Sequence, residues 1–190
     1  MKKFVLLLFS VLAFALSAAS AAEDKYLAAA EKGDAEAQYL LSKCYTHGLG
    51  VKKDPEQALY WLRKSAEQGY SEAQCVLGLR YILGLDVKKD YGQGFFWLRK
   101  SAEQGNVNAQ SALGVCYFAG DGVKKDYKQA VYWYRKAAEQ GESEAQYNLG
   151  ACYYNGHGVA KDHEQALFWL RKSAAQGNEK AIKVLKNLEQ

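Results

Sequence analysis

The chain has 190 residues, 25 Lys+Arg against 21 Asp+Glu, and a formal net charge of +4. Without the leader described below, 168 residues remain, with 23 basic against 21 acidic side chains, too even a balance for the dense basic face that nucleic acid requires. An apolar share of 49% and a charged share of 24% exclude a disordered chain, and one Pro beside 14 Tyr and 4 Trp points to helices whose rings recur at fixed places.

Met1-Lys2-Lys3 is a basic start, and Phe4 to Leu16 is apolar except for Ser10. That run is about 13 residues, shorter than the ~20 a membrane-spanning helix needs. Small residues follow from Ser17 to Ala22, and Ser20 and Ala22 satisfy the small-x-small rule, so residues 1–22 are expected to be a cleaved signal peptide. The alternative is an uncleaved anchor. No Cys lies near the cleavage point, which disfavours a lipoprotein. The expectation is a periplasmic or secreted monomer that does not insert in a membrane after leader cleavage.

Residues 23–33 read as a shortened capping helix. Four copies of a 36-residue unit follow, at 34–69, 70–105, 106–141 and 142–177. Gly33, Gly69, Gly105, Gly141 and Gly177 keep the step, as do Trp61, Trp97, Trp133 and Trp169. Tyr45, Tyr81, Tyr117 and Tyr153 keep it too, and so do Asp54, Asp90, Asp126 and Asp162. In the first copy, Ala37, Leu41, Tyr45 and Gly48 recur at helical steps, which predicts helix A over 35–47 with a glycine end. Asp54 caps helix B, predicted over 55–68, with Pro55 at the first helical position. Gln57 stands three residues after Asp54, the spacing of a capping box, and the other copies repeat it. Residues 178–190 read as a last helix A that keeps Ala181 and Leu185 and turns Lys180, Lys183 and Lys186 to water, a polar cap.

Leu77-Gly78-x-x-Tyr81-x-x-Gly84, Gly122-Val123-Lys124-Lys125-Asp126 and Ala130-x-x-Trp133-x-Arg135-Lys136-Ala137-Ala138 resemble the Sel-1-like repeat, a relative of the tetratricopeptide repeat. The resemblance implies an all-α, right-handed α/α solenoid of helix pairs that serves as an adaptor or scaffold. Two copies depart from it: Ser42 replaces the helix-A glycine in the first, and Asp86 replaces the second loop glycine in the second.

Between copies, the columns of Ala37, Gln38, Leu41 and Tyr45 stay constant, while those of Tyr39, Leu40, Lys43, Thr46 and His47 change. On a helical wheel the two sets fall on opposite sides. Constant columns are read as packing, and changing ones as free to be chosen for a partner. The resemblance implies that helix A lines a concave groove. Its expected floor is Tyr39, Leu40, Lys43 and His47 in copy one and Cys75, Val76, Leu79, Ile82 and Leu83 in copy two. Copy three supplies Ser111, Ala112, Val115, Phe118 and Ala119; copy four supplies Tyr147, Asn148, Ala151, Tyr154 and Asn155. An apolar middle between polar and aromatic ends fits a protein or peptide partner anchored over Leu79, Leu83, Val115 and Phe118. The alternative for any one residue is packing between neighbouring repeats.

No catalytic residue, cofactor or metal site is predicted. Cys44, Cys116 and Cys152 share one column and read as buried packing, with Arg80 in their place in copy two. A Cys44–Cys75 bridge is possible, but nothing in the spacing demands it. Cys44 and His47 stand one helical turn apart but on different faces. His163-Glu164 starts like a zinc motif, yet Leu167 stands where the second His is needed. The Gly-x-Gly pairs follow helices, not strands, and read as turns. The Arg63-Lys64 pairs and their repeats read as a solvated face paired to Glu67, Glu103 and Glu139. A cysteine-rich secreted branch of the family pairs a Cys late in helix B with one early in the next helix A. The matching columns here hold Ala66 and Gln74, Ala102 and Gln110, Ala138 and Gln146, and Ala174 and Ile182. Some of that branch bind penicillin-like compounds and carry a β-lactamase label. A binder of β-lactams or cell-wall fragments with weak hydrolase activity is therefore the alternative function, although Ser-x-x-Lys, Lys-Thr-Gly and Ser-Asp-Asn are all missing.

Overall fold

A computed structural model of the chain describes residues 25–188; the expected leader lies outside them. No strand occurs among the described residues. Residues 25–31 form α1. The helices that follow are α2 (Ala35–His47), α3 (Pro55–Glu67), α4 (Ser71–Leu83), α5 (Tyr91–Glu103) and α6 (Val107–Ala119). Then come α7 (Tyr127–Glu139), α8 (Ser143–Asn155), α9 (His163–Ala175) and α10 (Glu179–Leu188). The chain divides into two compact units, and the division falls between Gln74 and Cys75, inside α4. In the first unit α2 packs on α3; in the second α6 packs on α7 and α8 on α9, with α7 joining α8 and α9 joining α10.

The helix ends follow from their residues. Gly48, Gly120 and Gly156 close α2, α6 and α8 in the left-handed conformation. Asp54 Oδ1 accepts the N–H groups of Glu56 and Gln57 at 3.0 Å, and Asp126 Oδ1 accepts those of Lys128 and Gln129. The capping box, however, is only half formed. Its return arm would use the N–H of the Asp, and in each repeat that donor is given to the carbonyl of the recurring Tyr of the preceding helix. Asp54 donates to the Tyr45 carbonyl at 3.0 Å, and Asp90, Asp126 and Asp162 do the same to Tyr81, Tyr117 and Tyr153. This bond ties the two helices of a repeat together across their turn.

Helices A and B approach closely enough that a side chain becomes a collision. A Cβ on Gly114 would stand 2.5 Å from the Tyr134 ring. The second glycine of the turn serves contact with the preceding repeat: a Cβ on Gly122 would lie 2.1 Å from the Tyr91 carbonyl oxygen, and one on Gly158 2.2 Å from that of Tyr127. Asp86 occupies the equivalent position in the second repeat at φ 57, the one non-glycine residue with positive φ among the described residues. Its carboxylate pairs with Arg80 Nη1 at 3.1 Å. Arg80 is itself buried in the column that holds Cys in the other three repeats. The two departures of the second repeat are therefore one substitution in physical terms: a buried cation and the anion that meets it.

The constant Gln column is a polar seam inside the packing. Gln38, Gln74, Gln110 and Gln146 are all buried. Each donates its side-chain amide to a carbonyl eight residues earlier, at Ala30, Ala66, Ala102 and Ala138 respectively. Gln68, Gln140 and Gln176 in turn donate to the side-chain oxygens of Gln38, Gln110 and Gln146. Of the four column pairs compared with the cysteine-rich branch above, three (66 and 74, 102 and 110, 138 and 146) are joined by a hydrogen bond.

Candidate functional site

The helical-wheel division holds at the packed side. Ala37, Gln38 and Leu41 are buried, and their counterparts at 73–77, 109–113 and 145–149 are buried with them. The changing columns separate into three kinds of place.

The first kind is committed to the next repeat. Tyr39 stacks against Tyr70 with ring centroids 5.4 Å apart. Ser111 Oγ donates to Glu142 at 2.9 Å, and Lys180 lies over the Tyr147 ring. This column meets the start of the following helix A. Cys75 belongs to it and is buried in the cluster of Leu98, Ala109 and Leu113; its assignment to the groove floor is therefore corrected, because the apolar core of the second unit encloses it.

The second kind is half-buried support. Val76 is half-buried. Leu79, Ile82 and Ala112 lean on the Leu98 and Leu113 cluster. Phe118 leans on the cluster of Tyr134, Leu149 and Cys152.

The third kind is open. Leu83 is 61% exposed, Val115 44% and Tyr154 43%. Asn155 is exposed as well, as are Lys43 and His47 on α2 in the first unit.

In the second unit these columns close around a cavity of about 120 Å³. It is lined by Phe118 of α6, Tyr134 of α7, Asn148, Ala151, Cys152 and Asn155 of α8, and His157 of the turn that follows; Tyr134 and Cys152 are its buried members. The wall beside it is aromatic. Tyr127 and His157 stack at 4.9 Å and 17°, and Phe118 meets them at 4.9 Å and 5.5 Å. Burial pushes the Cys152 thiol up to about 11 and, with the nearby Asp121 charge, the Cys116 thiol up to about 12; Tyr134 is raised, first by burial. At neutral pH these groups are protonated, so the cavity offers a thiol and a phenol in their neutral forms, two carboxamides and the His157 imidazole. All four cysteines are buried thiols outside any disulfide, so the Cys44–Cys75 bridge is not formed. Cys44 is buried while His47 is exposed, as their different faces required. Among the described residues no cluster of His, Cys, Asp or Glu could hold a metal ion, and no helix is long and apolar enough to cross a membrane.

Two features escaped sequence reasoning. The helix-B lysines do not simply face solvent. Lys64, Lys100, Lys136 and Lys172 lie over the rings of Tyr60, Phe96, Tyr132 and Phe168, at 4.8–5.0 Å. Arg99 does pair with Glu103, at 2.8 Å. The second is a cavity of about 840 Å³ on the turn into α7, lined by Lys124, Lys125, Lys128, Tyr127 and Gly158 among others. Its signal was present in the sequence: Lys128 stands where the other repeats have Glu56, Gly92 and Glu164.

The model of the Sel1 repeat matches residues 35–70, 71–106, 107–142 and 143–178. The chain belongs to the Sel1 repeat family, an all-α solenoid class whose members are in general protein-interaction scaffolds. No curated protein matches it. Among solved structures it is similar to a protective antigen present in uropathogenic Escherichia coli strains that displays an SLR fold, with 43% identity and a TM-score of 0.82; the match covers 85% of this chain and 35% of that one. A Sel1 repeat protein from Oxalobacter formigenes shows 39% identity and a TM-score of 0.78 over 86% of this chain and 48% of that one. Cysteine rich protein B of Helicobacter pylori shows 29% identity and a TM-score of 0.54 over 70% of this chain and 96% of its own. The chain thus spans less than half the length of the first two relatives.

Proposed function

We propose that this chain is an exported, non-catalytic adaptor that holds a segment of a partner protein along the helix-A face of its second unit. The carrying observation is the cavity between α6 and α8. Four variable columns, those of Asn148, Ala151, Phe118 and Asn155, converge there on a space of the size of one aliphatic side chain. Leu83, Val115 and Tyr154 extend an exposed apolar and aromatic line on the same changing columns, and burying such surface yields about 25 cal/mol per Å². The basic leader start, short apolar run and small-residue cleavage site support export to the periplasm or beyond.

The test is capture in the native cell envelope with a photo-crosslinker placed at Asn155, followed by identification of the trapped protein. Leu83→Asp with Val115→Asp should reduce that crosslink at least about tenfold, with the circular dichroism spectrum unchanged. These two sites are better suited than Leu79 and Phe118, because the latter lean on the core and a charge there would unfold the repeat. An undiminished crosslink in the double variant would overturn the groove assignment.

A further inference from the structure

We infer that the segment held at the junction of the third and fourth repeats is acidic: an aliphatic side chain enters the 120 Å³ cavity and neighbouring carboxylates meet Lys124, Lys125 and Lys128. This rests on the groove reading above and adds the chemistry of the partner.

The repeat itself supplies the internal standard. Residues that depart from their columns are unremarkable when scattered, but here they gather in one place. Tyr134 stands where the other copies have Leu62, Leu98 and Leu170, and it lines the small cavity. His157 stands where they have Leu49, Leu85 and Asp121, and it stacks on Tyr127. Lys128 replaces Glu, Gly and Glu, and it lines the larger cavity. The ring of Tyr127 belongs to both surroundings: it lines the lysine cavity and packs against Phe118 and His157 of the aliphatic one. One cluster of rings thus separates the two spaces, a distance that a few residues of extended chain at about 3.4 Å each can cross. Around the larger cavity the charge is unequal. Asp126 is occupied in capping α7 through the N–H groups of Lys128 and Gln129, and three ammonium groups share the walls with it. A carboxylate-bearing segment complements that field; a basic one is repelled by it.

The experiment is selection of a displayed random-peptide library on the immobilised full chain, with sequencing of the enriched peptides. The expected enrichment is an aliphatic residue followed within a few positions by two or more Asp or Glu. Three exposed ion pairs predict about a tenfold preference over peptides carrying Gln and Asn instead. In K124Q/K125Q/K128Q the acidic preference should disappear and the aliphatic one persist. In K52Q/K53Q, which removes the corresponding first-repeat pair, both should persist. Ala151→Trp, or Asn155→Trp at the exposed rim, should abolish the aliphatic preference. Neutral or basic winners, no enrichment, or an acidic preference lost equally in K52Q/K53Q would overturn the inference. An aliphatic preference untouched by both tryptophan variants would overturn the groove reading itself. An acidic preference without an aliphatic residue would show a general polyanion surface and overturn the peptide assignment.

Discussion

At the residue scale, the second repeat shows how a buried charge is tolerated. Arg80 is almost enclosed, while Asp86 is close to half exposed, so the pair is neither a free surface bridge nor a dry core pair. Removing the anion leaves a buried guanidinium that has lost a charge-assisted bond. Asp86→Ala should therefore destabilise the protein by about 1–3 kcal/mol, read from the urea midpoint. Restoring the internal consensus at both positions, with R80C/D86G, should recover most of the loss. The buried thiols give a pH dependence of known sign. In the folded state Cys116 and Cys152 are held up to about 12 and about 11, against 9.0 for an ordinary thiol. The unfolded chain releases these protons first, so stability is fully present below about pH 9 and falls as pH rises toward 11 and 12. Denaturation midpoints measured from pH 7 to 11 should decline above 9, and C116A/C152A should flatten that decline.

At the element scale, the polar seam matters more than its two-atom bonds suggest. The Gln110 amide meets the Ala102 carbonyl at the end of α5 and accepts from Gln140 at the end of α7. One side chain therefore joins three helices. Gln110→Leu keeps the volume but removes both side-chain bonds; the Ala102 carbonyl keeps the Gly105 N–H and Gln140 keeps the Lys136 carbonyl, so a loss of about 1 kcal/mol is expected, with faster amide exchange at the end of α5. The helix starts are simpler. Asp126→Ala removes two capping bonds of α7 and should cost about 1 kcal/mol, seen as a lower thermal midpoint. The half-formed capping boxes belong to this scale as well. The Gln after each Asp matched a local motif, but the donor it needed was already spent on the preceding helix. Only the proximity of two helices decided that.

At the scale of the whole molecule, repetition made most of the architecture legible. A glycine, a tryptophan and a capping aspartate returning every 36 residues located the helices; α2 runs over the expected Ala35–His47. The constant-against-changing comparison also separated packed from open columns, because burial constrains a residue in every copy and solvent does not. It failed at the column of Tyr39, Cys75, Ser111 and Tyr147. Those residues vary, yet they touch the next repeat, where each meets a different neighbour: Tyr70 for Tyr39, Glu142 for Ser111 and Lys180 for Tyr147. Variation there reflects matched contacts across a junction.

The order of helices, their caps and the face each one buries were written in the sequence, since they depend on near neighbours and a fixed period. The partners of the departures were not. That Arg80 answers Asp86, that Tyr134 rises into the gap above Gly114, and that Phe118, Tyr127 and His157 form one wall are matters of distance between different helices and turns. A linear pattern carries no such distances, so the cavity and the lysine-lined space beside it emerged only when the repeats were packed.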